Sequence, residues 1–174
     1  RAGATSQKMP IDSPVGPLVT LEEVIHEAKR LGDNLEKDFT TPVLWVVAPS
    51  EPWAEQTAIR TTHDLNPPSV QMLPTLVVKI ARRSLVTTPE ISFGRAPVCE
   101  VILPFAAMSK HHGFFRQEPD GTWVVGDVGS KNGTYLNGQS ITAISPVKDG
   151  SSLRFGDVTA KFLLPKSFCD NLRK

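Results

Sequence analysis

Two cysteines, Cys99 and Cys169, are all that this 174-residue sequence holds, and no metal-ligand spacing relates them. So few thiols exclude a disulfide framework and point to a reducing compartment. Long hydrophobic runs are also missing. The longest, around Val43–Ala48, is far below the roughly 18 apolar residues of a membrane helix. No charged-then-apolar leader opens the chain, which begins with Arg1. The expected location is cytoplasmic, away from membranes. Charge of one sign does not dominate either: 19 basic residues face 18 acidic ones, for a net +1. That balance argues against a polybasic membrane-surface or histone-like chain. Hydrophobic residues at 40% and charged residues at 21% exclude wholesale disorder and supply one sizeable core.

What is present is unevenly distributed. Residues 1–71 carry 6 basic and 10 acidic side chains, and residues 72–174 carry 13 and 8. Such asymmetry predicts two parts with different partners or a mutual attraction. Residues 1–19 are polar and broken by Pro10, Pro14 and Pro17, and read as a mobile lead. Thr20 and Glu23 match a capping box. Leu21, Val24, Ile25, Ala28 and Leu31 follow at helical spacing, and Gly32 is a suitable stop. Val43–Ala48 reads as a buried strand and residues 49–74 as a proline-rich connection. These features make residues 20–71 an N-terminal extension, with a boundary near Met72–Thr75.

Beyond it the texture changes to short apolar segments: 76–80, 90–93, 101–103, 112–115, 123–125, 153–155 and 160–164. Asp120–Gly121, Asn137–Gly138, Asp149–Gly150 and Gly156–Asp157 stand between them. Asn-Gly and Asp-Gly supply the positive φ angles of tight hairpins. Many short strands with frequent turns predict a mainly β, antiparallel sandwich over 72–166. A C-terminal tail follows at 167–174, with a helical period only after Pro165.

Three polar clusters sit at strand ends: Gly94–Arg95, Ser109–Lys110–His111–His112–Gly113 and Ser130–Lys131–Asn132–Gly133–Thr134. They offer a guanidinium fork, a hydroxyl, two ammonium groups and a carboxamide. A guanidinium donates paired, charge-assisted hydrogen bonds to a phosphate, and a carboxamide both donates to and accepts from a peptide group. Other chemistries fit less well. His111 and His112 would point to opposite faces of a strand, so no metal site is expected. Ser145–Pro146–Val147–Lys148 matches a Ser-x-x-Lys pattern but lacks its companion motifs. No phosphate-binding glycine loop or dinucleotide fingerprint occurs. Cys99 reads as a core residue. Neither an enzyme nor a cofactor is expected.

The ordered set FGRAPVCEVILPFAAMSKHHGFF, DGTWVVGDVGSKNGTYLNG and DGSSLRFGD resembles the forkhead-associated (FHA) domain over about residues 75–165. That resemblance implies a β-sandwich binding phosphothreonine peptides downstream of a Ser/Thr kinase. It implies that Arg95 and Ser109 hold the phosphate, with Lys110 and Lys131 facing the same groove, and that Asn132 clamps the peptide main chain. His112 would brace the loops, with Gly94, Gly133, Thr134, Asn137 and Gly138 shaping them. Gly94, Gly133 and Gly138 look like turn requirements. Gly113 stands where the family more commonly has alanine, a small-for-small exchange. The implied partner is a phosphothreonine protein, either a kinase or its substrate. Self-association through phosphorylated Thr40–Thr41 or Thr61–Thr62 is a further expectation. Two alternatives stand beside this reading: an FHA scaffold making phosphate-independent contacts, and a basic β-domain binding nucleic acid. The 12 aromatic residues include few that would be free to stack on bases.

Overall fold

The computed structural model describes residues 19–31, 39–47, 75–85 and 87–173. The expected mobile lead, the helix stop at Gly32, the proline-rich connection and Thr61–Thr62 lie outside these residues, apart from Val19. In chain order the elements are β1 (Val19–Thr20), α1 (Leu21–Leu31), β2 (Val43–Val47), β3 (Thr75–Lys79), β4 (Glu90–Gly94) and β5 (Val101–Ile102). They continue with β6 (Gly113–Gln117), β7 (Trp123–Asp127), β8 (Thr134–Leu136), β9 (Gln139–Ser140) and β10 (Ser145–Val147). The last are β11 (Ser152–Phe155), β12 (Val158–Leu163) and α2 (Pro165–Leu172).

Two sheets form a sandwich. One runs β1-β3-β2-β12-β11-β8-β9 and the other β10-β7-β6-β4-β5. The described pairings are antiparallel except β4–β5, where Phe93 and Gly94 lie beside Val101 and Ile102 in parallel. The core between the sheets draws Leu44 and Val46 from β2, Leu76 and Val78 from β3, and Phe93, Phe115, Val125, Phe155 and Phe162 from the others. Strand alternation sends the intervening residues to the opposite face. There Val43, Val77 and Leu163 pack with Val24 of α1, Phe39, and Phe168 and Cys169 of α2. The ring centroids of Phe39 and Phe168 are 4.8 Å apart. A sheet covered on both faces needs apolar residues at every position, which is why β2 reads as a continuous Val-Leu-Trp-Val-Val run.

β2 is not peripheral. It pairs with β3 from Val43↔Lys79 to Val47↔Thr75, and with β12 from Val43↔Leu163 to Val47↔Thr159. It therefore takes an interior place in the seven-stranded sheet, third from the β1 edge. α2 extends beyond residue 166, and Asp149 holds its start by accepting hydrogen bonds from Leu164 N (2.8 Å) and the Ser167 hydroxyl. Among the described residues no helix is long and apolar enough to cross a membrane.

Candidate functional site

Three loops meet at one end of the sandwich: 95–100 after β4, 103–112 after β5 and 128–133 after β7. Main-chain contacts join the first two. Arg95 N donates to Ser109 O at 2.9 Å and Ala96 N to Lys110 O at 3.0 Å. Gly94 makes this approach feasible. A Cβ there would lie 2.3 Å from Lys110 O, so a side chain would drive the loops apart. Gly94 thus serves a close backbone approach rather than a turn, since it is not among the described residues with positive φ. Gly113 is not a neutral exchange either. A Cβ there would meet Gly126 O at 2.3 Å and the Phe93 ring at 2.6 Å.

Side chains join the second and third loops. Ser109 Oγ accepts from Lys131 N at 2.9 Å, which leaves its O–H to donate elsewhere. Asn132 Nδ2 donates to Ala107 O at 2.8 Å, leaving its second N–H and its carbonyl oxygen. His112 lies fully buried beneath them. Its Nδ1 accepts from Ser109 N at 3.2 Å, so Nε2 carries the proton and donates to Gly133 O at 3.4 Å. Its ring also stacks on Phe93 and meets Phe155 edge-on. Burial pushes the imidazole below its usual range, against the opposing pull of Asp127, whose Oδ2 lies 3.8 Å from Nε2.

Asp127 is the loop organiser absent from the motif reading. It accepts from Gly129 N (2.8 Å), Ser130 N (2.7 Å), Ser130 Oγ (2.7 Å) and buried Thr134 Oγ1 (2.7 Å). Burial works to raise its carboxyl. The bonds from Ser130, Thr134 and Gly129 outweigh that and hold it below the ordinary range. The signal in sequence was Asp127-Val128-Gly129-Ser130, an aspartate able to cap its own following turn.

Arg95, Lys110 and Lys131 are exposed, and none of them forms an ion pair with a described residue. The structure thus assembles Arg95, Ser109, Lys110, Lys131 and Asn132 on adjoining loops, with His112 and Thr134 buried underneath and Gly133, on the third loop, accepting from His112. Asn137 and Gly138 lie at the other end of β8. They turn the β8–β9 hairpin with φ of 50° and 85°, and Asn137 Oδ1 accepts from Ser152 N at 2.9 Å. They shape the strand leading from the site and do not join it. His111 is exposed while His112 is buried, so the two imidazoles do not converge. Cys99, within the first loop, is buried, its Sγ 3.2 Å from Lys110 O. Burial raises its thiol, a direction that disfavours the nucleophilic thiolate.

Residues 91–156, which include all three loops, match the family model described as FHA domain. The oxoglutarate dehydrogenase inhibitor of Corynebacterium jeikeium is 34% identical over 109 residues, covering 58% of this chain and 74% of that protein. This chain belongs to the FHA family. The glycogen accumulation regulator GarA of Mycolicibacterium smegmatis is 36% identical over 86 residues, 49% of this chain. The FHA chain spans about half the length of that relative, 53%. The FHA domain of CT664 from Chlamydia trachomatis aligns at a TM-score of 0.46 and 17% identity, covering 70% of this chain and 95% of its own.

Proposed function

We propose that this FHA protein is a non-catalytic module that binds phosphothreonine peptides generated by a Ser/Thr kinase. The observation that carries the reading is the exposed Arg95, Lys110 and Lys131 on loops tied together through Ser109 and His112. Phosphorylation adds roughly −1.5 to −2 charge and three acceptor oxygens to a threonine. Arg95 matches that anion with its planar fork, Ser109 with the hydroxyl hydrogen left after its bond to Lys131 N, and the lysines with charge. Asn132 holds the peptide main chain through the polar atoms not used on Ala107. Loops bonded to each other before the ligand arrives lose little entropy on binding.

Selectivity for threonine over serine comes from one methyl group, worth about 1 to 3 kcal/mol in a fitted apolar pocket. The partner class is a phosphothreonine-bearing kinase or kinase substrate. The test is fluorescence polarisation of the full chain against a degenerate phosphothreonine peptide library, with phosphoserine and unmodified libraries alongside. Saturable binding confined to phosphothreonine is expected. Equal binding of unmodified peptides would point to phosphate-independent contacts instead.

A further inference from the structure

Ser84 lies on the exposed loop between β3 and β4, directly after Arg82 and Arg83 and before Leu85. Its hydroxyl donates to one oxygen of the Glu100 carboxylate. The amides of Arg83 and Ser84 donate to the other oxygen, Ser84 N at 3.0 Å. Arg83 Nη1 adds a 3.4 Å bond to Cys99 O. Glu100 closes the loop that Arg95 opens, and its own amide donates to Ser92 Oγ at 3.2 Å. The Arg95 loop is therefore held at both ends: at Arg95 and Ala96 by the carbonyls of Ser109 and Lys110, and at Glu100 by the Ser84 clasp.

We propose that Ser84 is a modification site for an arginine-directed Ser/Thr kinase, and that phosphorylation opens the Ser84–Glu100 clasp and weakens phosphothreonine binding at Arg95. Two consecutive arginines before an exposed serine present the charge that an acidic kinase groove complements. In the transfer, Ser84 Oγ attacks the γ-phosphorus of ATP. The Oγ–P bond forms as the bond to the β,γ-bridging oxygen breaks, ADP departs with that electron pair, and the hydroxyl proton passes to the kinase's base. The product places a phosphate where a hydroxyl donor stood against a carboxylate. Burial works to raise Glu100, but the Ser84 hydroxyl, the Arg83 and Ser84 amides and the nearby Arg82 charge keep it ionised. A phosphate beside an ionised carboxylate is repelled, so the bonds that Glu100 accepts from this loop are lost together. The last step, weaker peptide binding, rests on the phosphothreonine reading; the modification and the clasp opening do not.

The experiment treats the full chain with the catalytic subunit of an arginine-directed kinase and ATP, with the Ser84→Ala chain as control. Tandem mass spectrometry locates the phosphate, and hydrogen exchange follows the bonded amides of Arg83, Ser84, Arg95, Ala96, Cys99 and Glu100. Polarisation measures affinity for a phosphothreonine peptide. The expected result is a phosphate on Ser84 that is missing from Ser84→Ala, faster exchange at those amides, and peptide binding weaker by about 5- to 10-fold, the low end of ordinary coupling between sites. In Glu100→Gln, which lacks the repelling charge, binding is already weaker and phosphorylation changes it less. Absence of phosphate from Ser84 overturns the site. Unchanged exchange overturns the clasp opening, and peptide affinity unchanged by the phosphate overturns the regulation. If the unmodified chain binds no phosphothreonine peptide, the reading above fails, while mass spectrometry and exchange still decide the modification and the clasp.

Discussion

Arg95 is placed by its main chain and not by its side chain, because its amide bonds to Ser109 O while its guanidinium lies exposed. Arg95→Ala should therefore leave thermal stability within about 0.5 kcal/mol, as surface substitutions do. It should cost about 2 to 5 kcal/mol of phosphopeptide binding, the scale for removing one partner of a hydrogen-bonded charge pair. Calorimetric titration and a melting curve on the same protein separate the two effects, and a binding loss under about 1 kcal/mol would remove Arg95 from the site. Gly113→Ala behaves in the opposite way. Its new methyl has to displace both Gly126 O and the Phe93 ring, so urea unfolding should show a loss of about 1 to 3 kcal/mol. An unchanged midpoint would refute that steric account. His112 and Asp127 give the fold an acid limit. The folded imidazole sits below its usual range, so the unfolded chain binds the extra proton first, and stability falls as pH drops below about 6.5, the ordinary imidazole value. Asp127, also lowered in the fold, adds its own loss as pH falls on through the carboxylate range. Melting temperatures from pH 8 to pH 4 should show this decline, and His112→Asn should start lower yet flatten the upper part of it. A slope identical in both proteins would exonerate His112. At this scale Arg95, Ser109 and Asn132 were legible as an ordered set of motifs. Asp127 was not, because an aspartate before a glycine reads as an ordinary turn former and its reach to Thr134 and His112 exists only once β7 and β8 are placed.

Strands were legible where burial forces a pattern. β2 and β3 announce themselves as apolar runs because both faces of their sheet are covered, and β6 and β7 because their residues fill the sandwich core. β8, β9 and β10 carry no strand pattern in the sequence. They are two or three residues long, and β9 is wholly exposed. β10 carries Pro146 at the edge of its sheet opposite Val124, where a missing N–H is tolerated. The parallel β4–β5 pairing leaves no mark in either segment's composition. The β8–β9 turn, by contrast, was visible as Asn137–Gly138, and the structure adds what Asn137 does with its side chain. Its main-chain N–H donates to Ser152 O at 2.8 Å while its Oδ1 receives Ser152 N, pinning the turn to the start of β11. Asn137→Ala should cost roughly 1 to 2 kcal/mol from the left-handed conformation, in addition to that hydrogen bond. Asn137→Gly relieves the backbone and loses only the side-chain bond. Equal losses in the two variants, read from urea midpoints, would show that the φ angle contributes nothing.

At the scale of the whole molecule, the shift in composition near residue 72 separates β2 from the strands it pairs with. The structure seats β2 between β3 and β12, with Val43, Leu44 and Val46 fully buried. Long-range pairing of this kind cannot be seen in composition, since the proline-rich stretch between β2 and β3 looks like a linker at any separation. Truncating a buried aliphatic side chain costs about 2 to 5 kcal/mol, and three of them approach the roughly 5 to 15 kcal/mol that stabilises a whole domain. A chain lacking residues 1–71 should therefore lose its cooperative melt, whereas one lacking residues 1–38 keeps β2 and melts cooperatively at a lower temperature, having lost Val24 from the outer cluster. Cooperative melting of the shorter chain near the full-length temperature would show that β2 is dispensable.

The proposed phosphothreonine site consists of loops 95–100, 103–112 and 128–133. Its most direct test is amide chemical-shift mapping of the ¹⁵N-labelled full chain titrated with a phosphothreonine peptide selected from the library. Saturating shifts concentrated at Arg95, Ser109, Lys110, Lys131 and Asn132 are expected, absent with the unphosphorylated peptide and lost in Arg95→Ala. Shifts centred elsewhere, for example on the roughly 550 Å³ groove lined by Trp45, Thr159, Lys161 and Asn171 beside α2, or shifts indifferent to the phosphate, would contradict it.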